Sequence, residues 1–242
     1  MNKNQKPWKT IMKRELTAYF TSPVAYIAGA LFLVFSGLLF FSTFFLANRA
    51  ELRSFFEYLP ILFSFFIPAL TMRVFSEEQK SGTMETLVTL PVTVRDIVVG
   101  KFLGAFVSSI LLLVPTLFYV LTCVIFSESE VDAGPMFGGY MGAVLLASSF
   151  TAIGIYASSI TKNQIVAYFI SFTVCIVLTG VSIFGPFLPG VVVSFISFIS
   201  ANSHFTSISR GIIDSRDLIY FVSLTAGFIA LTANQVHNAR RR

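Results

Sequence analysis

Residues 24–46 form a run of 23 without one charged side chain. As an α-helix rising about 1.5 Å per residue, that run is roughly 34 Å long. The hydrocarbon core of a bilayer is only ~30 Å thick, so the run is predicted to span a membrane with some tilt. Composition supports this placement. Charged residues make up 12% of the 242-residue chain, against about 25% in an ordinary soluble domain. Basic residues flank the apolar runs and are not gathered on one surface, which argues against a nucleic-acid partner. Cys123 and Cys175 both lie inside apolar runs and read as small core residues. No cleaved signal peptide is expected, because the first apolar run is too long for one.

Five further spans are predicted, over residues 58–72, 102–126, 137–160, 164–184 and 218–236. Pro60 and Pro68 fall inside the second and Pro115 inside the third, where each can kink a helix. Residues 1–20 read differently. Lys3, Lys6, Lys9, Lys13 and Arg14 interleave with Trp8, Ile11, Met12 and Leu16, giving a helix cationic on one side and apolar on the other. Such a helix is expected to lie on the cytoplasmic face of the bilayer, ended by Ser22-Pro23. Residues 191–200 are apolar but too few to cross, so they read as a re-entrant or interfacial helix.

The distribution of charge tests the count. With six spans and both termini inside, thirteen basic residues face the cytoplasm and four the outside, while acidic residues split five to seven. A seventh span at residues 191–200 would export Arg240, Arg241 and Arg242 and weaken that bias. On these boundaries no span contains Asp, Glu, Lys or Arg, which weighs against a proton-driven carrier. There is no phosphate-binding Gly-x-x-x-x-Gly-Lys-Ser/Thr loop, so ATP hydrolysis would need another chain. Ser203 and His204 could pair as a hydrolase on paper, but a polar loop histidine is the plainer reading. Small residues recur through the fourth span (Gly138, Gly142, Ala143, Ala147, Ser148, Ala152, Gly154) and at Gly100 and Gly104, predicting close helix packing or dimerisation.

The longest polar stretch, residues 73–101, carries most of the functional signal. Ser81-Gly82 marks a break, and residues 83–90 can form a short helix with Met84, Leu87 and Val88 on one face and Glu85 in its first turn. Pro91 ends it. That helix has no core of its own, so its apolar side must meet the membrane, the bundle or a soluble partner.

The stretch from Phe75 to Pro91, FSEEQKSGTMETLVTLP, followed by IVVGK at residues 97–101, resembles the signature of type-2 ABC exporter permeases. Glu78, Gly82, Thr83, Glu85, Leu87, Pro91, Gly100 and Lys101 all fit that pattern. KRELTAYFTSP at residues 13–23 looks like the family's elbow helix, with Trp8, Lys13, Arg14 and Glu15 as its candidate residues. The chain further resembles permease subunits associated with bacterial gliding motility, through FIPALTMR (66–73), TAIGIYASS (151–159), NQIVA (163–167) and SISRGIID (207–214).

The resemblance implies an all-α integral membrane fold in one permease domain, 1–242. It would have six transmembrane helices, an amphipathic elbow helix (1–22), a cytoplasmic coupling loop and helix (73–101) and an outer re-entrant segment and loop (185–216). Glu78, Gly82, Thr83, Met84, Glu85, Leu87, Val88 and Pro91 would dock an ABC ATPase subunit. The implied function is the permease of an ATP-driven exporter in a bacterial cytoplasmic membrane. It would be paired with a second permease chain, alike or different, and would contact lipid. The chain itself would hold no cofactor and no metal; ATP and Mg would sit on the ATPase. The alternative is a non-transporting anchor or scaffold for an ATPase or a motility or secretion apparatus.

Overall fold

A computed structural model describes residues 7–47, 52–83, 92–126, 133–182 and 189–240. Among these the chain is helical, with no strand. In order come α1 (Pro7–Thr21), α2 (Pro23–Ala47), α3 (Arg53–Thr71), α4 (Ser76–Ser81), α5 (Val94–Leu111) and α6 (Leu117–Phe126). Then follow α7 (Ala133–Ile160), α8 (Gln164–Gly180), α9 (Gly190–Ile199), α10 (Ala201–Ser209) and α11 (Ser215–Arg240). Four segments are long and apolar enough to cross a membrane: α2, the stretch Arg53–Ser81 that holds α3 and α4, α7 and α11. Helices α6 and α8 are apolar but shorter.

Local chemistry sets the boundaries. Pro23 opens α2, where its missing N–H and fixed φ cost nothing. Asn163 caps α8 by accepting from the N–H of Ile165 at 2.9 Å. Thr93 caps α5: its hydroxyl oxygen accepts from the Asp96 N–H at 3.1 Å and its hydroxyl lies 2.6 Å from the Asp96 carboxylate. That cap starts α5 eight residues before the predicted third span. Past Leu111 the chain tightens into i→i−3 bonds, among them Leu113 N–H to Ile110 O at 2.8 Å and Thr116 N–H to Leu113 O at 3.1 Å. Pro115 lies in this stretch and can donate nothing, so the predicted third span is two helices, α5 and α6, joined by a tightened turn.

The helices run past the predicted spans and carry charge outside them: α3 takes in Arg53 and Glu57, α5 takes in Arg95, Asp96 and Lys101, and α11 takes in Arg216, Asp217 and Arg240. One expectation needs correction. Residues 201–209, read as loop, form α10, capped by the Ser200 hydroxyl on the Ser203 N–H at 3.3 Å.

Helix α7 is the axis. Of its most apolar stretch 72% is buried, against 22% for α2 and 17% for α11, so the first and last long helices flank the bundle and the middle one forms its core. It packs against α3, α5, α8, α10 and α11. Its small residues are what allow this. A side chain at Gly154 would run into Thr71 of α3, one at Gly139 into the Phe56 ring, and one at Gly142 would sit 3.2 Å from Phe205 and Ile208 of α10. The small-residue face is thus used inside one chain.

Gly154→Val is expected to abolish a monodisperse peak in fluorescence-detected size exclusion, because the branched side chain has nowhere to go against Thr71. Gly227→Ala in α11, where an added methyl meets nothing within 4 Å, should leave that peak and the melting temperature intact.

Candidate functional site

Helix α5 carries Lys101 near its N-terminal end, and 1% of that side chain is exposed. A buried ammonium is tolerated only when its donors are answered by charge and by hydrogen bonds. Its Nζ lies 2.9 Å from Glu15 Oε1 on α1 and 3.0 Å from Glu78 Oε1 on α4, and donates to the Val74 carbonyl at 2.7 Å. The ring of Phe75 lies beneath it at 4.9 Å. Arg14, the residue before Glu15, donates to the same Glu78 oxygen at 3.2 Å. Two cations and two carboxylates from three helices therefore form one cluster. The second oxygen of Glu78 is buried with no partner among the described residues.

The backbone makes room for it. Helix α1 lies along α5, over Gly100 and Gly104. A Cβ at Gly100 would fall 2.8 Å from the Trp8 carbonyl and from Ile11 Cβ; one at Gly104 would fall 2.7 Å from Glu15 Cβ. These two glycines bring Glu15 within reach of Lys101. The corner between α1 and α2 is fixed from α3. The Tyr19 hydroxyl donates to Leu70 O at 2.7 Å. Burial, with help from Glu15 and against Arg73, pushes that phenol well above its ordinary pKa, so it stays a donor. Arg73 donates to Ser22 Oγ and to Ala18 O at 3.3 Å, and stacks on the Tyr19 ring at 5.1 Å. Its charge sits at the C-terminal end of α1, where the helix dipole favours a cation.

Helix α4 is held from its other side by α7. Ser158 Oγ accepts from the N–H groups of Phe75 at 2.8 Å and Ser76 at 3.0 Å, a cap supplied by a distant helix. Gln79 donates to Ser159 O at 2.7 Å. Gly82 then ends α4 with φ +73°, a left-handed turn that suits glycine. The hydroxyls of Thr83 and Ser81 meet at 2.9 Å.

Of the residues singled out in the sequence, the structure brings together Arg14, Glu15 and Glu78, and puts Gly82 and Thr83 at the end of the same short helix. Trp8 lies half-buried in the first turn of α1, with Lys9 Nζ 5.5 Å from its ring centroid, and Lys13 is exposed. Met84, Glu85, Leu87, Val88 and Pro91 lie outside the described residues. Lys101 was read only as part of a motif at the edge of a span; its burial makes it the centre of the cluster. The signal lay in the sequence as Gly100 before it and Gly104 after it, an opening for a helix that brings a carboxylate.

His204 is not a loop histidine. It lies in α10, with Nδ1 2.6 Å from Asp217 Oδ1 and Nε2 3.0 Å from Phe198 O, and its ring stacks on Tyr220 at 4.1 Å between centroids. Both ring nitrogens are taken, so Ser203 and His204 do not pair as nucleophile and base. Among the described residues no three His, Cys, Asp or Glu side chains gather to hold a metal.

Removing the ammonium leaves two carboxylates facing each other in a nearly closed site. Lys101→Met is expected to lower stability by about 3–5 kcal/mol, read as a fall in melting temperature in detergent. The triple variant Lys101→Met, Glu15→Gln, Glu78→Gln should recover most of that loss. Equal melting of the wild type and Lys101→Met would remove the cluster from the fold's foundations.

A search of curated proteins found no match. The model of the ABC-2 family transporter protein matches residues 9–233, a stretch that runs from the first turn of α1 into the last third of α11 and contains the whole ion cluster. The chain belongs to the ABC-2 family of transporter proteins, membrane permease components of ABC transporters that normally work with an ABC ATPase.

Proposed function

We propose that this chain is the permease of an ATP-driven exporter, and that residues 84–90 dock its ATPase from the cytoplasm. One observation carries this reading. The short helix α4 and its Gly82 stop, immediately before that segment, are fastened to α1, α5 and α7 at once, through Glu78, Ser158 and Gln79. A helix anchored as α4 is passes displacement to the bundle and does not absorb it locally. Closure of the ATPase subunits on ATP would push this segment, and the push would reach α5 through Lys101 and α1 through Arg14.

Within this reading the chain crosses a bacterial cytoplasmic membrane six times, the α5–α6 pair and α8 adding two crossings to the four long segments, and both termini face the cytoplasm. Helix α1 (within residues 1–22) serves as elbow, residues 73–101 as coupling loop, and residues 185–216 as an outer re-entrant segment. Two such units, two copies or this chain and a relative, enclose a pathway. The stretches shared with gliding-motility permeases support that setting for the complex. A mechanical scaffold using the same anchored segment is the second reading, and ATP-dependent flux separates the two.

A cognate ABC ATPase subunit, co-expressed with the full chain, should co-purify with it and hydrolyse ATP faster than it does alone. Leu87→Asp should reduce recovery of the complex at least tenfold, the loss of about 1.4 kcal/mol or more of binding. The permease should keep its own elution profile. Undiminished assembly of that variant would refute docking at residues 84–90.

A further inference from the structure

Two cavities are lined by neighbouring stretches of the chain at the corner between α1 and α2. One, of about 500 Å³, is polar and is lined by Arg14, Ser22, Arg73, Glu77 and Thr83, among others. The second, of about 640 Å³, is almost wholly apolar and runs between α2, α3 and α8, past Val24, Ile27, Leu31, Phe65, Ala69 and Ile165. Their linings are continuous along the chain at two places. Only Pro23 separates Ser22 of the polar cavity from Val24 of the apolar one, and Arg73 of the first follows Met72 of the second.

The polar cavity offers charge of both signs. Arg14 is 62% exposed, with one contact at 3.2 Å, and a guanidinium has five N–H donors. Arg73 uses two of its nitrogens on Ser22 and Ala18 and has further N–H groups to give. The Glu77 carboxylate is exposed and has no partner among the described residues. Guanidinium groups suit a phosphate, and a free carboxylate beside them suits an ammonium. An ATPase side chain could supply one of those charges. It would not supply a hydrocarbon tail for the apolar groove whose lining begins at Val24, two residues past Ser22 of the polar cavity.

We propose that the two cavities are one binding site for an ethanolamine phospholipid. The phosphate lies at Arg14 and Arg73, the ammonium at Glu77, and an acyl chain in the groove between α2, α3 and α8. The inference requires only that α2 lies in a membrane. It goes beyond the coupling role argued above and does not depend on ATPase docking.

The test uses the full chain in phosphatidylcholine nanodiscs containing a small fraction of a phosphatidylethanolamine with a photoreactive acyl chain. Crosslinked peptides should map to α2, α3 and the start of α8, and unlabelled phosphatidylethanolamine should compete. Phosphatidylglycerol should compete about twofold to fivefold less well, the value of one lost solvent-exposed ion pair. Inorganic phosphate should not compete. Glu77→Gln should erase the preference for ethanolamine over glycerol. Arg14→Gln should weaken labelling by either lipid, and Ala69→Phe, which fills the groove, should remove it. Labelling spread evenly over α2 and α11, or equal competition by every headgroup, would overturn the proposal. So would copy-to-copy crosslinks at Ile27 with no lipid label, because a second chain would then fill the groove. ATPase co-purification measured on the same variants keeps the two proposals apart. Lost lipid selectivity with intact assembly supports this site alone, and lost assembly with intact selectivity bears only on docking.

Discussion

One buried ammonium sets the terms for the end of the bundle where α1, α4 and α5 meet. Lys101 is shielded from water, and its charge must be answered by Glu15, Glu78 and the Val74 carbonyl together. Each of those partners fixes a different element: α1, α4 and the turn that follows α3. The geometry of three segments far apart in sequence is thereby specified by one group that cannot be left unpaired. Apolar packing alone would tolerate sliding of α1 along α5; a buried ion pair with two glycine notches beneath it does not.

Much of the helical framework was legible in the sequence because it depends on local rules. The chargeless run at residues 24–46, the Ser22-Pro23 break and the Asn163 start of α8 are decided by the bilayer's thickness and by which side chains can cap a helix. The errors came where tertiary partners decide. Hydropathy stopped the third span at Phe102, because Lys101 looks like a loop residue until two carboxylates are supplied from elsewhere; the Thr93 cap that starts the helix is local, but hydropathy does not register it. Residues 201–209 read as loop because their polar side was visible. Their apolar side, Phe205 and Ile208, makes sense only against Gly142 of α7. The small residues of α7 were recognised as a packing surface, but the sequence left open whether the partner was another chain. The structure fills that surface from within.

The candidate site was legible in part for the same reason. Arg14, Glu15 and Glu78 were picked out through a resemblance to a family pattern, which carries no information about which side chains touch. The contact that unites them needs the crossing of α1 over Gly100 and Gly104, and no periodicity announces such a crossing. The two cavities at the α1–α2 corner were invisible for a stronger reason. They are made of residues about 50 apart in sequence, Ser22 with Arg73 and Val24 with Met72, that belong to different predicted elements.

The uneven burial of the long helices also bears on how the chain reaches this state. Helix α2 leaves the ribosome before α3 and α7, yet it is far less buried than either, and its principal neighbour is α3. The core helix α7 emerges only after more than half the chain has been made. Until then the α1 carboxylate can meet Lys101, but Ser158, which caps α4, does not yet exist. Assembly is therefore expected to proceed outward from the middle, with α2 waiting in lipid while α3, α7 and α8 close, and α11 joining after them. A chain interrupted before residue 154 would leave α4 uncapped and the face of α3 that takes Gly154 open. A quality-control protease in the membrane would find its substrate in that unfinished surface.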